Sequence, residues 1–526
     1  MRPYIVVVVA ACSSTDTPPR PDPLAPLPLP APVETSRFRD AEACAQCHLV
    51  PDPATVLHDA TGANVSPVLL WRSSLMALAS RDPYYLATFA EELALAATDK
   101  RSAIAQSCTR CHGPAGNEEL ATTGAALTFD DLVAGSSPAA VLARGGVTCT
   151  ACHQIAAANL GTESSFTGAF RIDYGRTLFG RYPDPLTNPM MLIVNYTPTL
   201  GSQIENAALC GTCHTVIVPS ANGEVVEQAT FLEWRSSSFM TLNQPCQQCH
   251  VPTVDANNTA ISAPVASFPT TLGARSPIGR HVFVGGNSYM LSLLADAVEW
   301  SGAGISADEL TASAARDDAH LATAAKLSVV NAHADAGGLA FAVRVENMTG
   351  HKLPTGYPSR RMWLHVVVTV GGQVAFESGG GEPGDQPHRD TISSPDQVQV
   401  WEAVLVDAQG NPTHRVLDAR RYSKDDRILP AGYAPSSVDR PRTDPVGVVA
   451  DPSFVGGRDE VSYTIPGIAS NATIDVELLY EAIRPQIVDE VDMSAPTPAG
   501  VKFVDLARAR PITPVVMAHI SVPYVF

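Results

Sequence analysis

Several things are scarce in this sequence. Aromatic residues make up 6% of it, so large rings cannot supply most of an interior. Positive charge is short: 35 Lys and Arg stand against 53 Asp and Glu, a formal net charge of −18. That balance excludes nucleic acid as a partner and points to basic patches on any protein partner. After the opening residues no apolar stretch is long enough to cross a bilayer. Cysteine is absent after Cys249, so the C-terminal half can hold no thiol-linked group. Before that point only Cys12 stands outside one repeated pattern, which excludes a disulfide framework of unrelated spacings.

The pattern is Cys-x-x-Cys-His, and it occurs five times: Cys44/Cys47/His48, Cys108/Cys111/His112, Cys149/Cys152/His153, Cys210/Cys213/His214 and Cys246/Cys249/His250. Two thiols three positions apart can each add across a vinyl group of one haem, and the adjacent imidazole then ligates the iron. Zinc sites pair two Cys-x-x-Cys elements and have no use for a His after each. A redox dithiol occurs once, at a strand–helix junction. The repeat therefore predicts five covalent haem c groups. With 37 Gly and 43 Pro, the chain reads as loop-rich, its interior filled by the macrocycles themselves, and the haem-free form is not expected to fold.

The opening Met1-Arg-Pro-Tyr-Ile-Val-Val-Val-Val-Ala-Ala-Cys12 resembles a lipoprotein signal ending in a lipobox, which would leave a lipid on Cys12. Residues 13–37 alternate proline with small residues and read as a stiff polyproline tether. The expected location is outside the cytoplasm, anchored at the outer membrane and facing periplasm or exterior. The remaining divisions are a pentahaem domain over 38–270, a helical segment over 271–326 and a β-sandwich over 327–526. The fold class is thus α+β and multidomain: a helical, loop-rich haem region followed by an antiparallel sandwich of immunoglobulin or fibronectin type.

Within the haem region Trp71-Arg-Ser-Ser recurs as Trp234-Arg-Ser-Ser, a short internal repeat at two helix starts. Beyond it, Asn287–Trp300 has helical spacing, and Ser306-Ala-Asp-Glu309 is a capping box opening a helix to about Ala325. Alternating runs at 340–346, 362–370, 373–377, 398–406, 461–465 and 472–480 read as strands.

A low-spin haem needs a sixth ligand, His or Met. Nine histidines lie outside the motifs. His281, beside Gly285-Gly286, and His351, in Thr349-Gly-His-Lys-Leu-Pro-Thr-Gly356, are the first candidates, with His58, His320 and Met76 behind them. Each has a plain alternative as a hydrogen-bonded or packing residue.

The phrases Thr349–Arg361, Arg280–Asn287 and Glu233-Trp-Arg-Ser ahead of the fifth motif resemble exported multihaem c-type cytochromes, related to the tetrahaem cytochromes that accept electrons from hydroxylamine oxidoreductase. The resemblance spans residues 40 to about 370. It implies a ligand role for His281 and for a His or Met after Trp-x-x-Ser, where Met76 stands in the first repeat and Phe239 in the second. The expected function is electron transfer with other cytochromes or a periplasmic oxidoreductase. The alternative is a multihaem reductase of a small nitrogen or sulfur oxyanion at one five-coordinate haem. No motif carries Lys in place of its His to mark such a haem.

Overall fold

The computed structural model describes residues 20–50, 56–173, 175–220, 223–335, 337–494 and 496–526. The lipobox with Cys12 lies outside them. Among the described residues no helix is long and apolar enough to cross a membrane.

The first half is built of short helices joined by loops. Helix Pro83–Leu95 shows how they form: Pro83 takes the first position, where its missing N–H costs nothing, and the Asp82 carboxylate accepts the Tyr85 N–H at 2.9 Å. Leu86, Phe89 and Ala90 fall on one face and pack with Leu127, Leu132 and Trp300. Two small ribbons complete this half. Strand β1 (Thr177–Gly180) pairs in parallel with β2 (Thr197–Leu200), and β3 (Val216–Ser220) forms a hairpin with β4 (Gly223–Gln228).

The second half holds β5 (Ala325–Asp335), β6 (Gly338–Asn347), β7 (Arg361–Val370), β8 (Gln373–Ser378), β9 (Thr391–Ile392), β10 (Val400–Val406), β11 (Arg421–Asp425), β12 (Arg458–Pro466), β13 (Ala472–Glu481) and β14 (Val515–Tyr524). One sheet runs β5-β6-β12-β9 and the other β11-β10-β7-β13-β14, with β8 on β7. All pairs are antiparallel except β9 with β12. Alternation sends Leu339, Phe341, Val343 and Val345 of β6 into one core with Leu364, Val366 and Val368 of β7 and Ile474, Val476 and Leu478 of β13.

The helical segment between the halves forms Ser288–Asp296, Val298–Ser301 and Ala307–Leu321. The capping box is made: Ser306 Oγ accepts the Glu309 N–H at 3.2 Å, and the Glu309 carboxylate accepts the Ser306 N–H at 3.1 Å. This helix stops at Leu321, short of the expected Ala325.

Two features depart from the sequence reading. From residue 20 onward the proline-rich segment is no free tether. Leu24 N–H donates to the Pro498 carbonyl at 2.8 Å, Trp300 Nε1 to the Leu24 carbonyl at 2.9 Å, and Arg81 to the Pro28 carbonyl at 3.0 Å. Leu27 is buried, so the stretch is a strap lying along the body. Proline leaves carbonyls unpaired along an extended chain, and neighbouring donors have taken them. The halves are also not separable at residue 327. Helices Pro485–Ser494 and Pro498–Ala509, between β13 and β14, put Ile487, Val491, Phe503 and Val504 against Ala87 of the first half and Leu293 of the helical segment.

The seam is polar and buried. His414 donates from Nε2 to Glu91 at 2.7 Å and from Nδ1 to Glu490 at 2.8 Å, while Arg415 pairs with Glu92 at 3.0 Å. Burial alone would lower the His414 pKa, but the hydrogen bonds to Glu490 and Glu91 outweigh it and raise it to about 9.

Candidate haem-binding cavity

All ten motif cysteines and all five motif histidines line one continuous cavity of about 2100 Å³. The motifs sit on or at the ends of short helices: Glu42–His48, Arg101–His112, Cys149–Cys152, Ala207–Gly211, past whose end Cys213 and His214 lie, and Cys246–His250. On a helix, positions i, i+3 and i+4 share one face, so both thiols and the imidazole of a motif point the same way. Thr148 caps the third of these helices and Asn206 the fourth.

The motif histidines are oriented by backbone carbonyls. Nδ1 meets the carbonyl of Val265 for His48 (2.8 Å), Ala79 for His112 (2.8 Å), Phe179 for His153 (2.7 Å) and Val284 for His250 (2.6 Å). A carbonyl can only accept, so Nδ1 carries the proton and Nε2 keeps its lone pair for a metal. Phe179 holds His153 twice, its own N–H donating to the His153 carbonyl at 2.7 Å. Burial lowers the pKa of each of these four rings. His214 falls to about 4, through burial and the nearby His250 ring. Neutral imidazoles are what iron ligation requires.

Two imidazoles on opposite faces of one metal ion, each bonded at about 2.0–2.1 Å, have ring centres about 6 Å apart. His281 lies 6.2 Å from His153, their planes 26° apart, and His351 lies 6.4 Å from His250, planes 25° apart. Both partners show the same orientation by carbonyls, His281 Nδ1 on Gly279 at 3.0 Å and His351 Nδ1 on Lys352 at 2.8 Å. Burial first, and neighbouring histidines after it, lower His281 to about 4; burial likewise takes His351 to about 4. His320 also lines the cavity and stands 5.3 Å from His250 with planes 63° apart, closer than the spacing of two imidazoles on one metal ion.

His58 does not line the cavity, although its neighbour Leu57 does; its Nδ1 meets the Val56 carbonyl at 2.8 Å. Met76 lines the cavity, and its carbonyl accepts the Val147 N–H at 2.9 Å just ahead of the third motif. Beside His112 the Tyr85 ring stacks at 3.7 Å, parallel to within 1°.

The Trp-Arg-Ser-Ser repeat is structural. Helices Pro67–Arg72 and Thr230–Arg235 both end at the Arg, and the hydroxyls of Ser74 and Ser237 donate to the carbonyls of Trp71 and Trp234 at 2.7 and 2.8 Å. Trp71 Nε1 donates to Val147 and Trp234 Nε1 to Gln244, at 2.9 and 2.8 Å. Phe239, at the expected ligand position of the second repeat, is a wall: its ring and Trp234 abut Gly350, leaving 3.0 Å for any added Cβ. Sequence reasoning had no signal for that contact, because it joins the two halves of the chain.

Thiols of different motifs interact directly: Cys44 with Cys149, Cys111 with Cys213, and Cys210 with Cys246. Cys152 stands close enough to Cys210 and Cys213 to raise both. Among the described residues no cysteine is in a disulfide. The other histidines are engaged elsewhere. His365 and His388, like His414, place both ring nitrogens on carboxylates. His388 and His414 are ion-pair centres with buried side chains.

No protein-family model and no curated protein matches the sequence. Among solved structures the chain is similar to a penta-heme cytochrome c552 from Thermochromatium tepidum. The identity is 18% and the TM-score 0.57, over 94% of this chain and all of that one. The sandwich half is therefore part of the likeness, and the chain shares the fold of that cytochrome over 94% of its length.

Proposed function

We propose that this chain is a pentahaem c-type cytochrome that carries electrons between protein partners. The carrying observation is the single cavity that gathers all fifteen motif thiols and imidazoles, with two further imidazoles at the spacing of a shared metal ion. Each Cys pair would hold one haem c, and His48, His112, His153, His214 and His250 would be the first iron ligands. His281 would be the second ligand opposite His153, and His351 opposite His250. When bound, haem supplies one-electron redox chemistry. The residues do the rest: carbonyls fix the imidazole tautomers, apolar walls exclude water, and the thiol contacts set the motifs in series. Motif one adjoins motif three, motif three adjoins motif four, and motif four adjoins motifs two and five.

This reading includes export, a lipid on Cys12 at the outer membrane, and kinship with the tetrahaem acceptors of hydroxylamine oxidoreductase. It also includes an immunoglobulin- or fibronectin-like sandwich. The charge of −18 favours redox partners with basic docking faces. Protein purified from an export-competent host should carry five thioether-linked haems per chain by mass and by pyridine haemochrome. Bare thiols at the motifs would defeat the proposal.

A second reading, reduction of a small oxyanion, is favoured by the surroundings of the second motif. There Glu92, Glu227 and Tyr357 line the cavity, and burial, with Glu92 beside it, raises Glu227 to about 7. A high-spin resonance that shifts on adding nitrite or hydroxylamine would select it; five low-spin haems would reject it.

A further inference from the structure

Glu233 sits in the middle of the second Trp-Arg-Ser-Ser helix and is fully buried. At the matching place in the first repeat stands Leu70, packed with Val282 and Val284. A carboxylate in so dry a position is costly unless other groups use it. The two hydrogen-bond donors to the Glu233 side chain both belong to the loop that carries His351. Its Oε2 accepts the Lys352 N–H at 3.1 Å and the Thr355 hydroxyl at 2.6 Å.

Lys352, itself fully buried, continues the network. Its ammonium donates to Asp425 at 2.6 Å, Asp425 takes the Arg427 guanidinium at 2.7 Å, and Arg427 returns to Glu233 Oε1 at 3.6 Å. Two cations and two anions thus close a ring across the seam. Lys352 also supplies the carbonyl that orients the His351 imidazole. Asn347 holds the His351 carbonyl at 2.7 Å, and Gly350 lies flat against Trp234 and Phe239. His351 belongs to the sandwich half, yet the Glu233 carboxylate that docks its loop comes from the motif half.

We propose that Glu233 is a positioning residue that fixes His351 opposite His250, so that the sandwich half supplies the second ligand at the fifth motif. This rests on the pentahaem reading. The Glu233 carboxylate acts through Lys352 and Thr355 rather than by touching the metal.

The test uses the full-length haem-loaded protein and reads carbon monoxide binding to the reduced form, together with high-spin resonance in the oxidised form. His351→Ala should turn one haem in five high-spin and able to bind carbon monoxide. Glu233→Gln keeps the shape but removes the charge. It should give the same signature in part of the molecules and shift one of the five midpoint potentials. Glu233→Leu, which copies the first repeat, should approach the His351→Ala result. Should Glu233→Leu fail to accumulate, Glu233→Gln decides alone. Wild-type carbon monoxide binding and potentials in Glu233→Gln, with five haems present, would overturn the positioning role. If His320→Ala rather than His351→Ala produced the high-spin haem, the assignment of His351 would fall while the pentahaem reading stood. A chain without covalent haem would remove that reading itself.

Discussion

The two halves of this molecule fill their interiors differently. In the sandwich, side chains from both sheets meet in one continuous core running from Leu327 to Met517. In the motif half the buried apolar residues divide into small separate clusters, such as those around Phe38, Phe166 and Val65, set around a large cavity. The first half thus packs its apolar side chains around the cavity rather than into one core, and the second joins its two sheets through side chains alone. The same backbone chemistry serves both: strands alternate and several short helices are capped.

The sharpest way to break that contrast is to withhold haem. In haem-free protein, amides of residues 42–250 should exchange freely while those of β6, β7, β12 and β13 stay protected. Hydrogen exchange reads this directly, and equal protection in both halves would refute it. The reverse experiment is Phe341→Ala. Phe341 stacks on Tyr463 with ring centres 5.1 Å apart and is buried. Its loss should destabilise the sandwich by about 3–5 kcal/mol, read by denaturant titration, and leave the haem spectrum of the folded protein unchanged.

The seam offers a smaller, pH-dependent effect. The His414 pKa rises from the unfolded 6.5 to about 9. Its contribution, on the order of 3 kcal/mol, is fully present below the unfolded value and is lost as pH rises through about 9. Stability should therefore fall between pH 6.5 and 9 in the wild type and stay flatter in His414→Gln. The smallest effect lies in the repeat. Trp71→Phe and Trp234→Phe each remove one indole hydrogen bond and should each cost about 1 kcal/mol. Unequal losses would mean that the two helices are not equivalent.

Local chemistry was legible in the sequence and long-range chemistry was not. The motif faces, the Ser306–Glu309 box and the alternating strands around Phe341, Val366, Tyr463 and Val476 each depend on residues a few positions apart. Strand β5 escaped because a bulge between Val330 and His333, with Asn331 at φ 55°, breaks its alternation. The helices of residues 485–509 carry clear signals, Pro485 and Pro498 at their starts and the Thr497 cap, yet nothing local places them on the other half. The approach of His351 to His250, 6.4 Å between ring centres, spans about a hundred positions that hold several of the intervening elements. Spacing alone could nominate His351, His320, His58 and Met76 but not say which ring stands at that distance.

The strap from Arg20 to Phe38 has a consequence for how the protein is made. Its first backbone anchor, Leu24, bonds to Pro498, which emerges from the ribosome only after strands β5 to β13 have been made. Its docking therefore runs in stages: Arg81 and Trp300 can hold the stretch from Leu24 to Pro28 first, and the bond to Pro498 follows as a later stitch.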